Sequence, residues 1–203
     1  SSGKTVKDEI LSRIKITLGI NITSMLVIFT VGLFIGIWSA FLTQKKQDIA
    51  TTALLASFAM PSFYLALLLI IAFSINLEWF AISGVGNKKI ADVGIAGYLK
   101  DTLHHLFLPV AVIVLTSIGS MALYVKSLAT EILKSDYVFF ALSRGADKKR
   151  IVFGYVIPNL MPQIVTMLGL SLPAIIGGSV ILESIFAING MGLLFYQSAL
   201  SRD

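Results

Sequence analysis

Few side chains in this sequence could do chemistry, and the most prominent of them is one carboxylate. Glu183 lies at the end of a long apolar stretch. An acidic side chain within or beside a membrane-embedded segment is a functional candidate by default. The alternative is that Glu183 only marks the outer edge of a membrane span. We therefore treat Glu183 as a candidate pathway or gate residue, for which the sequence identifies no partner.

The two histidines of the chain, His104 and His105, are adjacent. Successive residues on an α-helix point about 100° apart, so one metal ion is poorly placed to bind both rings. We expect an interfacial pair at the head of a membrane span and no metal site. Cysteine is absent from the sequence, which excludes a disulfide framework, a thiolate nucleophile and a cysteine-based metal site within these residues.

The sequence predicts no catalysis in this chain. It contains no G-x4-G-K-[ST] loop of the kind that cradles nucleotide phosphates. We therefore expect no catalytic residue and no cofactor here, and any energy must come from another polypeptide. Nucleic acid is not an expected partner either, because the basic residues are few and form no stripe with interleaved aromatic side chains.

The composition indicates a lipid environment. Of the 203 residues, 56% are hydrophobic and 13% are charged, whereas a soluble domain carries roughly 25% charged residues. The net charge of +5 is modest and clusters between the apolar segments, as is usual beside anionic headgroups.

Four long uncharged runs predict four membrane-spanning helices, since one crossing needs about 20 predominantly apolar residues. The expected spans are 20–43, 53–76, 106–126 and 155–178. We expect Pro61 to kink the second span, which makes it a second candidate pathway or gate residue. We expect the last run to break near Pro173. The predicted fold class is an all-α integral-membrane protein, a polytopic helical bundle with about four full spans and a broken or re-entrant C-terminal segment.

The charge distribution does not orient these spans. Orientation normally follows the bias of lysine and arginine between the two sides of the membrane. Four spans place eight basic residues on each side of the membrane, so the count is tied.

The segment 126–150 predicts a helix, a turn and a second helix outside the membrane. Ser135 is a suitable N-cap for a helix that begins near Tyr137. Gly145 is well placed for the left-handed residue that follows a helix end. Asp147 can cap the next helix, which enters the membrane through Ile151 and Val152.

The first of these helices is apolar on most sides and must bury itself against something. Tyr137, Phe140 and Ala141 are spaced to share one face. The helix could pack on the ends of its own spans or lie in the interface as an amphipathic anchor. It could also dock into a groove of a soluble partner. The residues alone leave both readings open.

Several short motifs, in order along the chain, resemble those of binding-protein-dependent ABC transporter permeases, in particular their peptide/nickel branch. They are "PSFY" from Pro61, "HLFLP" from His105, "DYV-x2-A-x3-G" from Asp136, "GSVILESIF" with "NGMG" from Gly178, and the terminal "SRD". The wider family pattern E-A-A-x3-G is kept only at Ala141 and Gly145, because Phe139 stands at the Glu position and Phe140 at the first Ala.

The resemblance implies a transmembrane permease domain over residues 1–203, from a longer protein of about six spans whose first and last spans are absent here. It implies that residues 126–155 form a cytoplasmic coupling loop, with 78–105 on the outside. It also implies a bacterial-type inner membrane and import of peptides or related small solutes, nickel included. A self-sufficient channel, a secondary transporter and a membrane anchor are the alternatives.

The resemblance also supplies partners and site residues. The partners are ATP-binding subunits that hold ATP and magnesium, a second permease subunit, an external solute-binding protein and the lipid membrane. The ATPase-coupling residues that it implies are Tyr137, Phe140, Ala141, Gly145 and Asp147. Because phenylalanines replace Glu and Ala at 139 and 140, we expect a more hydrophobic contact with the ATPase.

Overall fold

The computed structural model describes residues 6–84 and 90–201, and these ranges are helical without a β-strand. The helices are α1 (Val6–Ala40), α2 (Gln44–Ala59), α3 (Ser62–Leu69), α4 (Ile90–Leu133), α5 (Asp136–Ser143), α6 (Lys148–Ile151), α7 (Ile157–Gly177), α8 (Val180–Ile185) and α9 (Met191–Ser201). Wider π-helical turns extend α3 over Ile70–Asn76 and join α6 to α7 over Val152–Val156. Five residues used in the charge count or the terminal motif lie outside the described residues: Lys4, Lys88, Lys89, Arg202 and Asp203.

The predicted membrane fold is confirmed. Within the described ranges, three helical stretches are long and apolar enough to cross a membrane: Lys7–Ala40, Val93–Leu133 and Lys148–Gly177. The pair Gln44–Ala59 and Ser62–Asn76 passes the same test as one bent span. These four correspond to the four predicted spans, although α1 and α4 extend well beyond the predicted limits.

The second predicted span is not one continuous helix. It breaks at Met60 and Pro61, where Pro61 has an extended backbone with ψ 133° and precedes α3. The kink predicted at Pro61 is confirmed. A proline ring disfavours the α conformation of the residue before it, and proline has no backbone N–H to donate to a helical hydrogen bond.

The predicted break near Pro173 is wrong, because α7 continues through it to Gly177. A proline removes one helical hydrogen bond but does not have to end a helix. The helix ends where Gly178 adopts a left-handed conformation, with φ 65°.

Pro158 is accommodated by the π-helical turn before it. A proline ring crowds the carbonyl group four residues earlier, and here that residue is Gly154, inside Val152–Val156. Widening of the helix at this point relieves the crowding while most backbone hydrogen bonds are kept.

The described helices divide into two compact units. The first unit comprises Ser1–Met25, Met60–Thr116 and Pro173–Asp203. Its core brings together residues of α1, α3, α4 and α8 with the turn that follows α8: Ile20, Ala66, Ile70, Leu108, Val112, Leu182, Phe186 and Ile188.

The second unit comprises Leu26–Ala59 and Ser117–Leu172. Its core joins the ends of α1 and α4 to α5, α6 and the first half of α7: Ile37, Ala40, Met121, Val125, Ala129, Val138, Ala141, Ile151, Val156, Leu160 and Ile164. This unit contains the segment 126–155, which the resemblance implies is the loop that couples to the ATP-binding subunit.

Close packing of α1 on α4 in the second unit depends on two glycines spaced G-x3-G. A Cβ atom at Gly36 would lie 2.6 Å from Val125 Cβ, and one at Gly32 would lie 2.7 Å from Met121 Cγ. Both distances are shorter than real side chains tolerate, so only glycine permits this approach. Small residues at this spacing are common where membrane helices pack closely.

Candidate coupling segment and buried carboxyl site

Helix α5 begins where the sequence predicted, within one residue. Ser135 precedes it with an extended backbone (φ −71°, ψ 151°) and makes no side-chain cap. Its hydroxyl instead donates to the Ile132 carbonyl at 2.6 Å. Asp136 lies in the first turn of α5, where a negative charge favours the helix dipole. Helix α4 continues through Leu133, beyond the end predicted for the third span at 126.

The corner after α5 has the predicted backbone. Gly145 has φ 82°, and the Ala146 N–H donates to the Ala141 carbonyl at 3.0 Å, as in a left-handed helix end. The Asp147 carboxylate then accepts from the Arg150 N–H at 2.9 Å and so caps α6. The chain thus turns within the four residues between Ser143 and Lys148 and starts a new helix.

The buried face of α5 differs from the expected one. Val138 and Ala141 are buried in the core of the second unit, so Ala141 does not share an exposed face with Tyr137 and Phe140. Phe139 is 66% exposed and Phe140 65% exposed. Four apolar residues form what we name the exposed α5 face: Tyr137, Phe139, Phe140 and Leu142.

The exposed α5 face is ordered by aromatic contacts. The Phe139 and Phe140 rings meet edge to face at 6.2 Å, and the Tyr137 ring stacks on that of Tyr155, also at 6.2 Å. Such pairs restrict ring orientation and stabilise the arrangement by about 0.5–1.5 kcal/mol each. The sequence reasoning did not connect Tyr155 with Tyr137, because the pairing depends on where α7 begins.

A polar groove of about 350 Å³ lies beside this face. Its walls include Glu131 on α4, Tyr137 on α5, and Asn159 and Gln163 on α7. Asn159 and Gln163 were missed at the sequence level. Their only signal was their spacing of four residues, which places two amides on one face of an otherwise apolar helix.

Glu183 is buried in the first unit, 5% exposed, and its carboxylate binds backbone and hydroxyl donors. One oxygen, Oε2, accepts from the Leu193 N–H at 2.7 Å, and the other, Oε1, accepts from the Thr17 hydroxyl at 3.3 Å. The Thr17 oxygen in turn accepts from the Met191 N–H at 2.9 Å. Two donors at the start of α9 are therefore satisfied by side chains distant in sequence.

Three glycines leave the space that the carboxylate fills. A Cβ atom at Gly178 or Gly190 would collide with Glu183 Oε1, and one at Gly192 would lie 3.2 Å from Oε2. The glycines before and after Glu183 in the sequence are therefore explained by the space that its carboxylate needs. Each glycine lets the backbone approach a buried carboxylate that needs donors.

Thr17 was also missed by the sequence reasoning. It is 2% exposed and lies on α1. A single threonine is common in a membrane helix and gives no functional signal. Its contact with Glu183 spans 166 residues of sequence, and no local pattern indicates such a pair.

Pro61 and the histidines occupy less enclosed positions. Pro61 is exposed, and its carbonyl accepts from the N–H groups of Tyr64 and Leu65. The His104 ring lies 6.1 Å from that of Phe80, while His105 Nδ1 contacts the Asp101 carbonyl at 2.7 Å. Among the described residues, no group of three or more potential ligands is placed to hold a metal ion.

Comparison with known proteins identifies a family. Residues 32–203 match the family described as "Binding-protein-dependent transport system inner membrane component". The chain is 31% identical over 202 residues to an oligopeptide transport system permease protein of Bacillus subtilis strain 168, covering 99% of this chain and 62% of that protein. It is 30% identical over 203 residues to a glutathione transport system permease protein of Escherichia coli K12, covering 100% and 61%.

The chain thus spans about three fifths of the length of the curated relatives it matches. The family model covers most of the chain, from Gly32 in the last third of α1 through α9. Its description as an inner-membrane component agrees with the apolar helices, and the family that the motifs resembled is confirmed. The chain belongs to the family of inner-membrane components of binding-protein-dependent transport systems.

Proposed function

We propose that the chain is part of the membrane-spanning translocation subunit of an ATP-driven importer for peptides or related small solutes. The observation that carries the proposal is the family match over 32–203, joined by relatives whose names specify oligopeptide and glutathione transport. The same observation disfavours a self-sufficient channel, a secondary transporter and a membrane anchor, since none of these depends on a binding protein. Nickel is the less supported cargo.

ATP binding belongs, in this proposal, to a separate subunit that also holds magnesium. Binding-protein-dependent transport requires an external solute-binding protein, and a second permease subunit completes the path. Import then proceeds by a shift in population between inward-open and outward-open states, biased by ATP binding in the partner.

The exposed α5 face is the proposed contact with the ATP-binding subunit. Two phenylalanines more than 60% exposed, on a two-turn helix whose opposite side is anchored in the core, suit insertion into an apolar groove. Phe139 stands where the wider family has glutamate, so apolar burial replaces an ionic contact at that position. Tyr137 extends the same face toward α7.

The other coupling residues support this contact without making it. Ala141 is small enough to let α5 lie close to Ile151 and Val156 in the core of the second unit. Gly145 turns the chain and Asp147 starts α6. A displacement of α5 is therefore transmitted to α7 through a short, hydrogen-bonded corner.

Glu183 and Pro61 remain candidates for the translocation path or its gate. The Glu183 carboxylate is occupied by the Leu193 N–H and the Thr17 hydroxyl, which supports a gate-stabilising role over contact with the solute. Pro61 permits a bend between α2 and α3, and a bend is where a helix can change its angle.

The test is assembly of the full-length protein with its ATP-binding subunit after Phe139→Ser and Phe140→Ser together. We expect loss of co-purification and of ATP hydrolysis stimulated by the binding protein. The matched control is Phe195→Ser, which removes a phenyl ring that is 56% exposed on α9 of the other unit. Unchanged assembly and ATP hydrolysis in the double variant would reject the docking assignment. Solute uptake without any ATP-binding subunit would reject the importer itself.

A further inference from the structure

A second, larger cavity lies on the second unit, between α2 and the end of α4. Its volume is about 610 Å³. Six polar residues on its wall matter here: Gln44, Gln47 and Thr51 from α2, and Lys126, Thr130 and Lys134 from α4. Nothing in the proposed coupling mechanism uses this cavity.

Lys126 is held in the wall by neutral groups. Its ammonium donates to the Thr51 hydroxyl at 2.6 Å and to the Gln47 carbonyl at 3.3 Å. Over residues 6–84 and 90–201, no carboxylate forms an ion pair with Lys126 or with Lys134. Glu131 also lines the cavity and offsets one of the two positive charges. A half-buried ammonium with only neutral partners keeps its attraction for an anion.

The position of the cavity favours a ligand with an apolar part. Lys126 directly follows the uncharged run Leu106–Val125, so the ammonium lies where a membrane span ends. Past Thr51, helix α2 presents Leu55 and Phe58, which are 51% and 57% exposed. A polar cavity that leads onto an exposed apolar surface matches a headgroup with acyl chains better than it matches a free phosphate ion.

We propose that this cavity binds the phosphate headgroup of an anionic phospholipid, with its acyl chains along α2. Lys126 and Lys134 supply the positive charge, and the Lys126 ammonium keeps a third hydrogen beyond the two that it donates to Thr51 and Gln47. Basic pockets between membrane helices commonly take such headgroups. The site requires only the membrane location of the chain and stands independently of the proposed transport function.

The test is competition between lipids on the full-length protein, followed by native mass spectrometry. The probes are dioleoyl phosphatidylglycerol and dioleoyl phosphatidylcholine in equal amounts. We expect retention of phosphatidylglycerol, and weaker retention by about fivefold for each lysine removed in Lys126→Gln and Lys134→Gln. Glu131→Gln should strengthen retention, because it removes the one acid from the wall.

The matched control is Lys45→Gln with Lys46→Gln, which changes the net charge equally on exposed residues of α2 outside the cavity wall. If this control loses as much phosphatidylglycerol as the double cavity variant, the binding is unspecific and the proposal fails. Lys126→Arg retains the charge and should retain the lipid, which separates loss of charge from loss of folding. If glycerol 3-phosphate displaces the lipid, the site takes a soluble phosphate and the lipid assignment is wrong.

Discussion

At the scale of single residues, the buried Glu183 carboxylate is held by donors from two other helices. Its position after a long apolar stretch could be read from the sequence, and so could its potential importance. Its structural function could not be predicted from the sequence, because its partners Thr17 and Leu193 lie on α1 and α9. The glycines around it were visible as a motif, but their reason, space for the carboxylate, is a property of the folded chain.

Replacing Glu183 by alanine should destabilise the protein by about 1–3 kcal/mol, because the Leu193 N–H then lies buried without an acceptor. Glu183→Gln should cost less, since the amide oxygen can still accept. The measurement is the thermal midpoint of the full-length protein in detergent. The control is Asp48→Asn, which neutralises an exposed carboxylate and should leave the midpoint nearly unchanged. An unaltered thermal midpoint for Glu183→Ala would contradict a stabilising role for the hydrogen bonds of Glu183.

Thr17→Val provides an independent check on the same contact. Valine keeps the shape but loses the oxygen that binds both Met191 and Glu183. Combined with Glu183→Ala, the two losses should not add, because the side chains share one network. Strict additivity of the two changes in the thermal midpoint would show that the residues act separately.

At the scale of elements, the α5–α6 corner was the most predictable part of the candidate site. Gly145 and Asp147 act through their own backbone conformation and their nearest neighbours, so a local pattern identifies them. The rotation of α5 was not predictable in the same way. It depends on residues beyond the corner, Ile151 and Val156, which belong to the same buried core as Val138 and Ala141. Phe139 and Phe140 stay outside that core.

Gly145→Val should disrupt this corner, because φ 82° places a β-branched residue in a strained conformation that costs about 1–3 kcal/mol. We expect loss of ATPase co-purification and of stimulated ATP hydrolysis. Gly169→Val is the control, since Gly169 lies within the regular helix α7 and has nothing within 4 Å of its Cβ position. Equal behaviour of the two variants would mean that the corner conformation does not matter for coupling.

The packing of α1 on α4 gives a second prediction at this scale. Gly36→Ala places a methyl group 2.6 Å from Val125 Cβ, and overpacking of this kind costs about 1–3 kcal/mol. The thermal midpoint should therefore fall. Gly19→Ala on the same helix has open space at its Cβ position and should raise the midpoint or leave it unchanged. A similar response of both variants would argue against close contact at Gly36.

At the scale of the whole molecule, hydrophobicity predicted the spans but not their ends or breaks. Apolar runs place helices because backbone groups in lipid must bond within the segment. Helix ends in α1 and α4 lie beyond the apolar runs because charged residues continue a helix outside the membrane at little cost. Pro61 and Pro173 show the limit of local rules: one coincides with a break, and the other lies inside a continuous α7.

The orientation that charge counting left tied can be measured directly. Residues 1–203 contain no cysteine, so single cysteines introduced there can be labelled selectively. From the resemblance we expect Ser83→Cys, between α3 and α4, to react with an impermeant maleimide in intact cells. Ser143→Cys, at the end of α5, should react only after the membrane is opened. The reverse pattern would invert the topology and place the exposed α5 face outside the cell.

Under the proposed docking, the two exposed phenyl rings of α5 stay uncovered until the ATP-binding subunit binds. Exposed apolar surface of this kind is an aggregation liability, and cellular proteases remove chains that are incompletely folded or assembled. A chain made in excess of its ATP-binding partner should therefore be short-lived, and the partner should extend its lifetime by covering those rings. Subunit stoichiometry would then be set by degradation of the unassembled chain.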